Sequence, residues 1–226
     1  MSCAPLELRA VTCLRDAAAI RDLTVEFPSG TCTLVTGADG DTRDLLLRVA
    51  GLVETPDGGD VLLAGRPTRA CSDEERAELR SQQLGFVFRA PFLLPAFSVV
   101  ENVAMPLFRR SHVDATEAGE RTGELLRFVG LIEAAEERIE NLPLAARHAV
   151  SLARALVNRP AVLLVEDLDG ELEEDDLRAF RMLLREACAR FAIAVIASTS
   201  GPAPIEGDAR VLRLGTTLEQ GSSLLS

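Results

Sequence analysis

The sequence predicts an α/β fold with a mainly parallel sheet, an antiparallel β portion at the N-terminus and an inserted helical segment. Alternating apolar and polar residues near the N-terminus are typical of strands with one exposed face. Uninterrupted apolar runs at 161–165 and 192–197 flank a helical pattern, which indicates parallel strands covered on both faces. The middle of the chain, residues 90–157, has mostly helical periodicity.

The N-terminal elements are predicted from alternation, turns and a helix cap. Glycine and proline at 56–59 predict a turn before a short strand. Ser72 with Glu75 three residues later forms the capping-box pattern that starts a helix. The predicted strands are 6–12, 20–27, 31–36 and the end of 56–65, and the predicted helices are 45–52 and the one that begins at Ser72.

The second half of the sequence predicts a group of helices, followed by strands and helices in alternation. We interpret its acidic segment, 170–176, as a solvated helix start favoured by the helix dipole rather than as a metal site. We expect a single domain over 1–226, with 1–89 and 158–226 as its core and 90–157 as a helical subdomain. The predicted helices are 101–108, 115–129, 147–156 and 173–190, and the predicted strands are 161–165, 192–197 and 210–214.

Composition excludes several kinds of chemistry. The chain has 226 residues and is 47% hydrophobic, enough for a sizeable core. All 24 positive charges are arginine, so Schiff-base chemistry on lysine and phosphate binding by a lysine are both excluded. The net charge of −11 argues against nucleic acid as a partner, and without Trp or Tyr any base stacking depends on Phe.

The cysteines and the apolar segments bear on location. Five cysteines, widely spaced and without any CxxC pair, indicate neither a disulfide framework nor a zinc site, so a reducing cytosol fits best. No signal peptide and no apolar run long enough to cross a bilayer are recognised. Any role at a membrane is therefore expected to be peripheral.

Several segments together resemble a known family. They are GFVFRAPFLLPAFSVV at 85–100, SLARALVNRP at 151–160 with the apolar run that follows, and the peripheral strands at 58–65 and 210–214. In this order they resemble the ATPase subunit of ATP-binding cassette (ABC) transporters, most closely the lipoprotein-release and macrolide-export type. The resemblance covers nearly the whole chain and implies a P-loop NTPase core.

The phosphate loop of that family has the pattern GxxxxGK[ST], and this chain departs from it. Gly37 and Gly40 are present, but Thr42 replaces the second glycine of the pattern, Arg43 the lysine and Asp44 the hydroxyl residue. Three aspartates and one arginine give the loop a formal charge of −2. We expect loss of tight phosphate binding. The alternative is that Arg43 grips phosphate and Asp44 ligates magnesium.

The other catalytic positions implied by the resemblance differ as well. Arg89 replaces the glutamine that links the magnesium site to the transporter. Glu166 and Asp167 replace the Walker B aspartate and the catalytic glutamate, which exchanges the lengths of the two acids and puts general-base catalysis in doubt. Ser200 replaces the histidine that senses the γ-phosphate, and the aromatic that stacks on adenine falls near Arg15.

The signature segment LSGGQ aligns with LPLAA at 142–146. Pro143 removes a backbone N–H, and Leu144 and Ala145 put side chains where the backbone of the family approaches the nucleotide of the opposite subunit. A dimer with an intact partner would therefore have both sites damaged. One site would lack a good phosphate loop and the other a good signature.

These observations favour a non-catalytic, pseudo-ATPase subunit that needs neither ATP nor magnesium. The resemblance implies an inner-membrane permease of the lipoprotein-release type as partner, and pairing with a second ABC ATPase subunit or with itself. The expected location is the cytoplasm, peripheral on the inner face of the membrane. Two alternatives remain open: an atypical ATPase that uses ATP and magnesium through Arg43, Asp44, Glu166 and Asp167, and a soluble adaptor with no transport role.

Overall fold

The computed structural model describes residues 4–109, 113–201 and 209–215. Its strands are β1 (Leu6–Arg15), β2 (Ala18–Phe27), β3 (Cys32–Gly37), β4 (Gly58–Leu63), β5 (Arg66–Pro67), β6 (Leu84–Val87), β7 (Val162–Val165), β8 (Ala194–Ser198) and β9 (Arg210–Leu214). Its α-helices are α1 (Gly40–Ala50), α2 (Asp73–Gln83), α3 (Val99–Ala104), α4 (Ala115–Phe128), α5 (Leu144–Leu156) and α6 (Glu174–Phe191). Short 3-10 helices cover Met105–Arg109, Ile132–Ala134 and Ile139–Asn141.

The N-terminal strands form an antiparallel sheet in the order β2-β1-β4-β5. The alternation in β1 shifts by one residue in the middle, because Leu6 and Leu8 are buried and then Val11 and Cys13. The register of β1 against β2 shifts at the same place, and Ala10 has a positive φ of 48°. A β-bulge therefore keeps both halves of the apolar pattern on the same face.

The parallel sheet has the order β6-β7-β8-β3-β9, and every neighbouring pair is parallel. Successive residues of β7 face opposite sides of this sheet. Leu163 and Val165 pack with helices α3 to α6, whereas Val162 and Leu164 pack with α1 and the antiparallel sheet. Because both faces are covered, β7 is an uninterrupted apolar run, as the sequence predicted.

The helical segment shares its apolar core with the sheet. Val99 of α3, Leu125 of α4 and Leu152 of α5 belong to the same buried cluster as Leu163 of β7. The helices of residues 90–157 are thus packed directly against one face of the parallel sheet. No helix in the part of the chain that is described has the length and apolar composition needed to cross a bilayer.

The helix predicted at 101–108 is wrong at both ends. Ser98 and Glu101 form a capping box that starts α3 at Val99. The α-helix ends at Ala104 and continues as a 3-10 helix, since Pro106 has no N–H to donate within an α-helix. Strand β6 was not predicted, because its four residues follow the polar helix α2 directly.

Candidate functional site

The carboxyl ends of the parallel strands bring most of the predicted site residues together. The loop from Gly37 to Asp44 follows β3 and contains the first turn of α1. Glu166 and Asp167 follow β7, and Ser200 comes soon after β8. Parallel strands end at the same edge of a sheet, where ligands of open α/β folds bind. The structure therefore places these residues at the position where a nucleotide site is expected.

Helix α1 begins earlier than the apolar periodicity predicted, because Asp39 caps its N-terminus. The Asp39 backbone is extended, and its Oδ1 accepts a hydrogen bond of 2.7 Å from the backbone N–H of Thr42. Hydrogen bonds from the backbone and the side chain of Thr42 hold the pKa of Asp39 below its usual value. A helix N-terminus offers its free N–H groups and dipole to anions. Here a carboxylate of the chain itself takes that place.

The Arg43 side chain is folded under the loop. One terminal nitrogen, Nη1, donates to the carbonyl oxygens of Gly37 and Ala38, each at 3.1 Å. The other, Nη2, lies 3.4 Å from Oδ2 of Asp167 and forms an ion pair with it. The side chain of Arg43 is only 9% exposed and that of Asp167 4%. The guanidinium is thus held by the loop and by β7 rather than presented to solvent.

Both acids after β7 have partners within the protein. The Oδ1 atom of Asp167 accepts from the N–H of Asp169 at 2.9 Å, so both of its oxygens are engaged. The carboxylate of Glu166 accepts from the N–H of Arg89 at 2.7 Å, and Nε of Arg89 donates to the carbonyl of Asp167 at 3.1 Å. A general base must lie within hydrogen-bond reach of the attacking water. The carboxylate of Asp167 is buried and has partners on both oxygens, whereas the hydrogen bond to Glu166 uses Oε2.

Asp169 is a central residue of this site that the sequence reasoning missed. It accepts from Arg181 of α6 at 2.6 Å, from the hydroxyl of Thr199, and from the N–H of Gly201 at 2.7 Å. Burial would raise the pKa of Asp169, but these hydrogen bonds and the charge of Arg181 hold it below its usual value. The N–H of Ser200 adds to the same effect. The loops after β7 and β8 are thereby tied together.

Asp44, which replaces the hydroxyl residue, lies among arginines. Burial raises the pKa of Asp44, while the charges of Arg89, Arg48 and Arg43 oppose that rise. The negative charge of nearby Asp167 also raises the pKa of Asp44. Among residues 4–109, 113–201 and 209–215, no three Asp, Glu, His or Cys side chains converge as ligands of one metal ion.

Arg15, which the sequence resemblance places near the expected adenine platform, forms ion pairs with Glu54 and Asp57. Nε of Arg15 donates to Glu54 at 2.8 Å, and its Nη1 lies 3.2 Å from Asp57. Asp57 also accepts from the N–H of Leu14 at 2.7 Å. Hydrogen bonds to Glu54 and Asp57 raise the pKa of Arg15 above its usual value. Arg15 therefore joins the end of β1 to the turn before β4.

The residues aligned with the signature segment start helix α5. Pro143 is the N-cap and forms no side-chain cap hydrogen bond. Leu144 is 41% exposed, and Ala145 packs at the edge of the helical core. Arg147 covers the preceding carbonyls, donating to Leu142 at 2.9 Å. The start of α5 thus presents an apolar side chain, Leu144, to solvent.

We expect the Asp39 cap to make stability depend on pH. Replacing Asp39 by alanine should lower the free energy of unfolding by about 1 kcal/mol at neutral pH, the usual effect of losing a helix cap. Since the folded pKa of Asp39 is depressed, its contribution is present above the unfolded pKa of about 3.9 and is lost as the pH falls through the folded value. Urea unfolding at several pH values measures this difference.

Asp41→Ala is the matched control, because Asp41 lies in the same turn and is exposed. Its loss should cost less than half as much as that of Asp39. Equal losses in the two variants, or a difference that does not shrink in acid, would contradict a capping role for Asp39.

Comparison with known proteins places the chain in one family. The sequence model described as ABC transporter matches residues 20–168. The lipoprotein-releasing system ATP-binding protein LolD of Paramagnetospirillum magneticum is 39% identical over 158 residues, 70% of each chain. LolD of Myxococcus xanthus is 36% identical over 196 residues, 86% of this chain and 87% of that protein.

Solved structures agree with the fold. The structure of cbiO1 from Clostridium perfringens, part of the ABC transporter complex cbiONQ, has a TM-score of 0.83 at 21% identity and covers 93% of this chain and 84% of that one. A dimeric ATP-binding cassette bound to ADP and Pi in a post-hydrolysis state has a TM-score of 0.77 at 22% identity, with 92% and 94% covered. The predicted fold class, an α/β P-loop NTPase core with an antiparallel β portion and helices, is confirmed. The extent of the sequence match and the identity to the LolD proteins show that the chain belongs to the ABC transporter family.

Proposed function

We propose that this chain is a non-catalytic, nucleotide-binding-domain-like subunit of an ABC transport complex. The observation that supports this most is that side chains of the chain itself fill its phosphate loop. Asp39 caps the amides of α1, and Arg43 is folded under the loop onto Asp167. In this proposal the cassette fold serves docking and assembly, and the subunit works without ATP and magnesium.

The residues of the loop do not fit a magnesium-bound triphosphate. A phosphate at the α1 N-terminus would have to displace the Asp39 carboxylate from the N–H of Thr42. It would also face Asp39, Asp41 and Asp44 together. A pair of like charges about 4 Å apart costs on the order of 1 kcal/mol in water and about 4 kcal/mol at an effective dielectric near 20. Turning Arg43 toward the ligand would leave Asp167 buried without its ion-pair partner.

The atypical ATPase is the second candidate, and the relatives favour it. Two proteins 36% and 39% identical to this chain are named ATP-binding proteins. In this alternative, ATP would supply the phosphoanhydride bond to be hydrolysed. Arg43 would hold its phosphates, and Asp44 would hold the magnesium ion. Arg43 would first have to leave Asp167, and Glu166 would have to leave the N–H of Arg89.

We predict that restoring the loop restores nucleotide binding. The wild-type chain should show no saturable binding of magnesium and ATP in calorimetric titration up to about 1 mM. A variant with Asp39→Ser, Thr42→Gly, Arg43→Lys and Asp44→Ser should bind at least about tenfold more tightly, since it replaces the charged cap by a neutral one, removes a second acid and supplies a lysine.

Asp114→Ser serves as the control, because Asp114 caps α4 in the same way that Asp39 caps α1. It should leave nucleotide binding unchanged. If the wild-type chain instead binds ATP at micromolar concentration and hydrolyses it at a rate abolished by Asp167→Ala, the atypical ATPase is correct and the non-catalytic proposal is wrong.

The proposed docking surface lies between β6 and the first turns after α3. Three phenylalanine side chains are exposed there: Phe92 is 70% exposed, Phe97 43% and Phe108 78%. Exposed apolar patches on soluble domains commonly mark contacts with partners. Because the relatives belong to lipoprotein-releasing systems, the proposed partner is an inner-membrane permease of that type. The subunit would then sit at the cytoplasmic face of the membrane.

We propose that the complex contains a second cassette, either an ATPase subunit or another copy of this chain. A relative of the same fold has been solved as a dimer. Because Pro143 and Leu144 start α5, this chain would offer its partner a poor signature segment. ATP bound by an intact partner would therefore lack its usual contacts from this side.

We predict that docking depends on Phe92. Phe92→Ser should reduce co-purification with the permease of the lipoprotein-release type about tenfold or more, as expected for an aromatic residue central to an interface. Affinity capture of the permease from detergent-solubilised membranes measures it. Met182→Ser on α6 is the control, because Met182 is 65% exposed outside this surface. Equal capture by both variants would contradict the proposed surface, and no capture by the wild-type chain would favour the soluble adaptor.

A further inference from the structure

A cavity lies where the strands of the parallel sheet begin, at the end of the sheet opposite the phosphate loop. Its volume is about 250 Å3, and it is bordered by α4, the end of α5 and the end of α6. Pro160, two residues before β7, and Ile193, which immediately precedes β8, form part of its wall. The phosphate loop follows the carboxyl ends of the strands, so the two sites are separate.

Most of the cavity wall is apolar. Leu125 of α4, Leu156 of α5, Phe191 of α6 and Ile193 line it. Phe191 is fixed in position by an edge-to-face contact with Phe128, with ring centroids 5.3 Å apart. Such a wall favours the apolar body of a ligand over a string of waters.

Arg121 supplies an unsatisfied donor in the same wall. Its side chain is 15% exposed and forms an ion pair with Glu117 through Nη2. Its Nε is buried and has no hydrogen-bond acceptor among the residues that the structure describes. A buried donor without a partner costs free energy unless a water or ligand meets it. The one acid of the wall, Glu124, is already paired with Arg190 at 3.2 Å.

Arg159 is the second cation at the cavity. It forms no side-chain hydrogen bond or ion pair with any residue that the structure describes. Its backbone has a φ of 52°, a left-handed conformation that costs about 1 kcal/mol or more for a residue with a Cβ.

We propose that this cavity binds a small organic carboxylate with an apolar body. The carboxylate would accept hydrogen bonds from Arg121 and Arg159, and the apolar body would pack on Phe191 and Ile193. An apolar cavity of about 150 Å3 holds benzene. The larger volume here accommodates one ring with a few further heavy atoms. Arginine is the side chain whose planar donors best match a carboxylate.

The probe for this site is 3-phenylpropanoate, with 3-phenylpropan-1-ol as its uncharged counterpart, titrated into the full chain by calorimetry. We expect the carboxylate to bind at least about tenfold more tightly than the alcohol. Arg159→Gln should remove most of that difference. Arg159 is exposed, so the variant keeps the fold. Arg178→Gln is the matched control and should bind as the wild type does. Arg178 is an exposed arginine that pairs with Glu174 and Asp175 in α6.

Dodecanoate distinguishes a small carboxylate from a lipid. Because its chain exceeds the cavity, it should bind no more tightly than 3-phenylpropanoate. The proposal is overturned if neither acid binds below about 1 mM, if the alcohol binds as well as the acid, if Arg159→Gln has no effect, or if dodecanoate binds more tightly.

Discussion

The ion pair between Arg43 and Asp167 is the interaction on which the candidate site depends. Burying a guanidinium is costly unless its donors and its charge are met. Here the carbonyls of Gly37 and Ala38 accept from Nη1 and Asp167 meets the charge at Nη2, while the buried Nε has no acceptor among the described residues. The pair joins the loop after β3 to the end of β7 across β8, which lies between these strands. Removing either partner would leave the other buried and unpaired.

The neighbouring contacts follow from this arrangement. Once Oδ2 of Asp167 is paired with Arg43, its Oδ1 accepts from the N–H of Asp169, which fixes the turn after β7. Asp169 then holds Arg181 of α6 and the residues that follow β8. Positions that the sequence resemblance assigns to a nucleotide site are thus joined to one another by the protein itself.

The sequence predicted the fold and the position of the site better than it predicted the site's contacts. The alternating pattern placed Gly37 and Gly40 in a turn after the strand predicted at 31–36, and the family resemblance assigned them, with Asp44, to a phosphate loop. The Asp39 cap was missed because the apolar periodicity of α1 begins only at Leu45, and Asp39 was counted only as a charge. The bond between Asp169 and Arg181 depends on how α6 packs against β7, which no local pattern reports. The sequence identified Arg43 as the replacement of a lysine. It could not predict that the Arg43 side chain points inward, because that direction is set by the ion pair with the buried Asp167.

A double-mutant cycle on Arg43 and Asp167 tests the central claim most directly. Urea unfolding of the wild type, Arg43→Gln, Asp167→Asn and the double variant gives the coupling free energy between the two side chains. A pair that fills the loop should show a coupling of about 1 kcal/mol or more that stays the same when about 5 mM ATP and magnesium are added. A coupling near zero, or one that disappears when ATP and magnesium are present, would contradict the account.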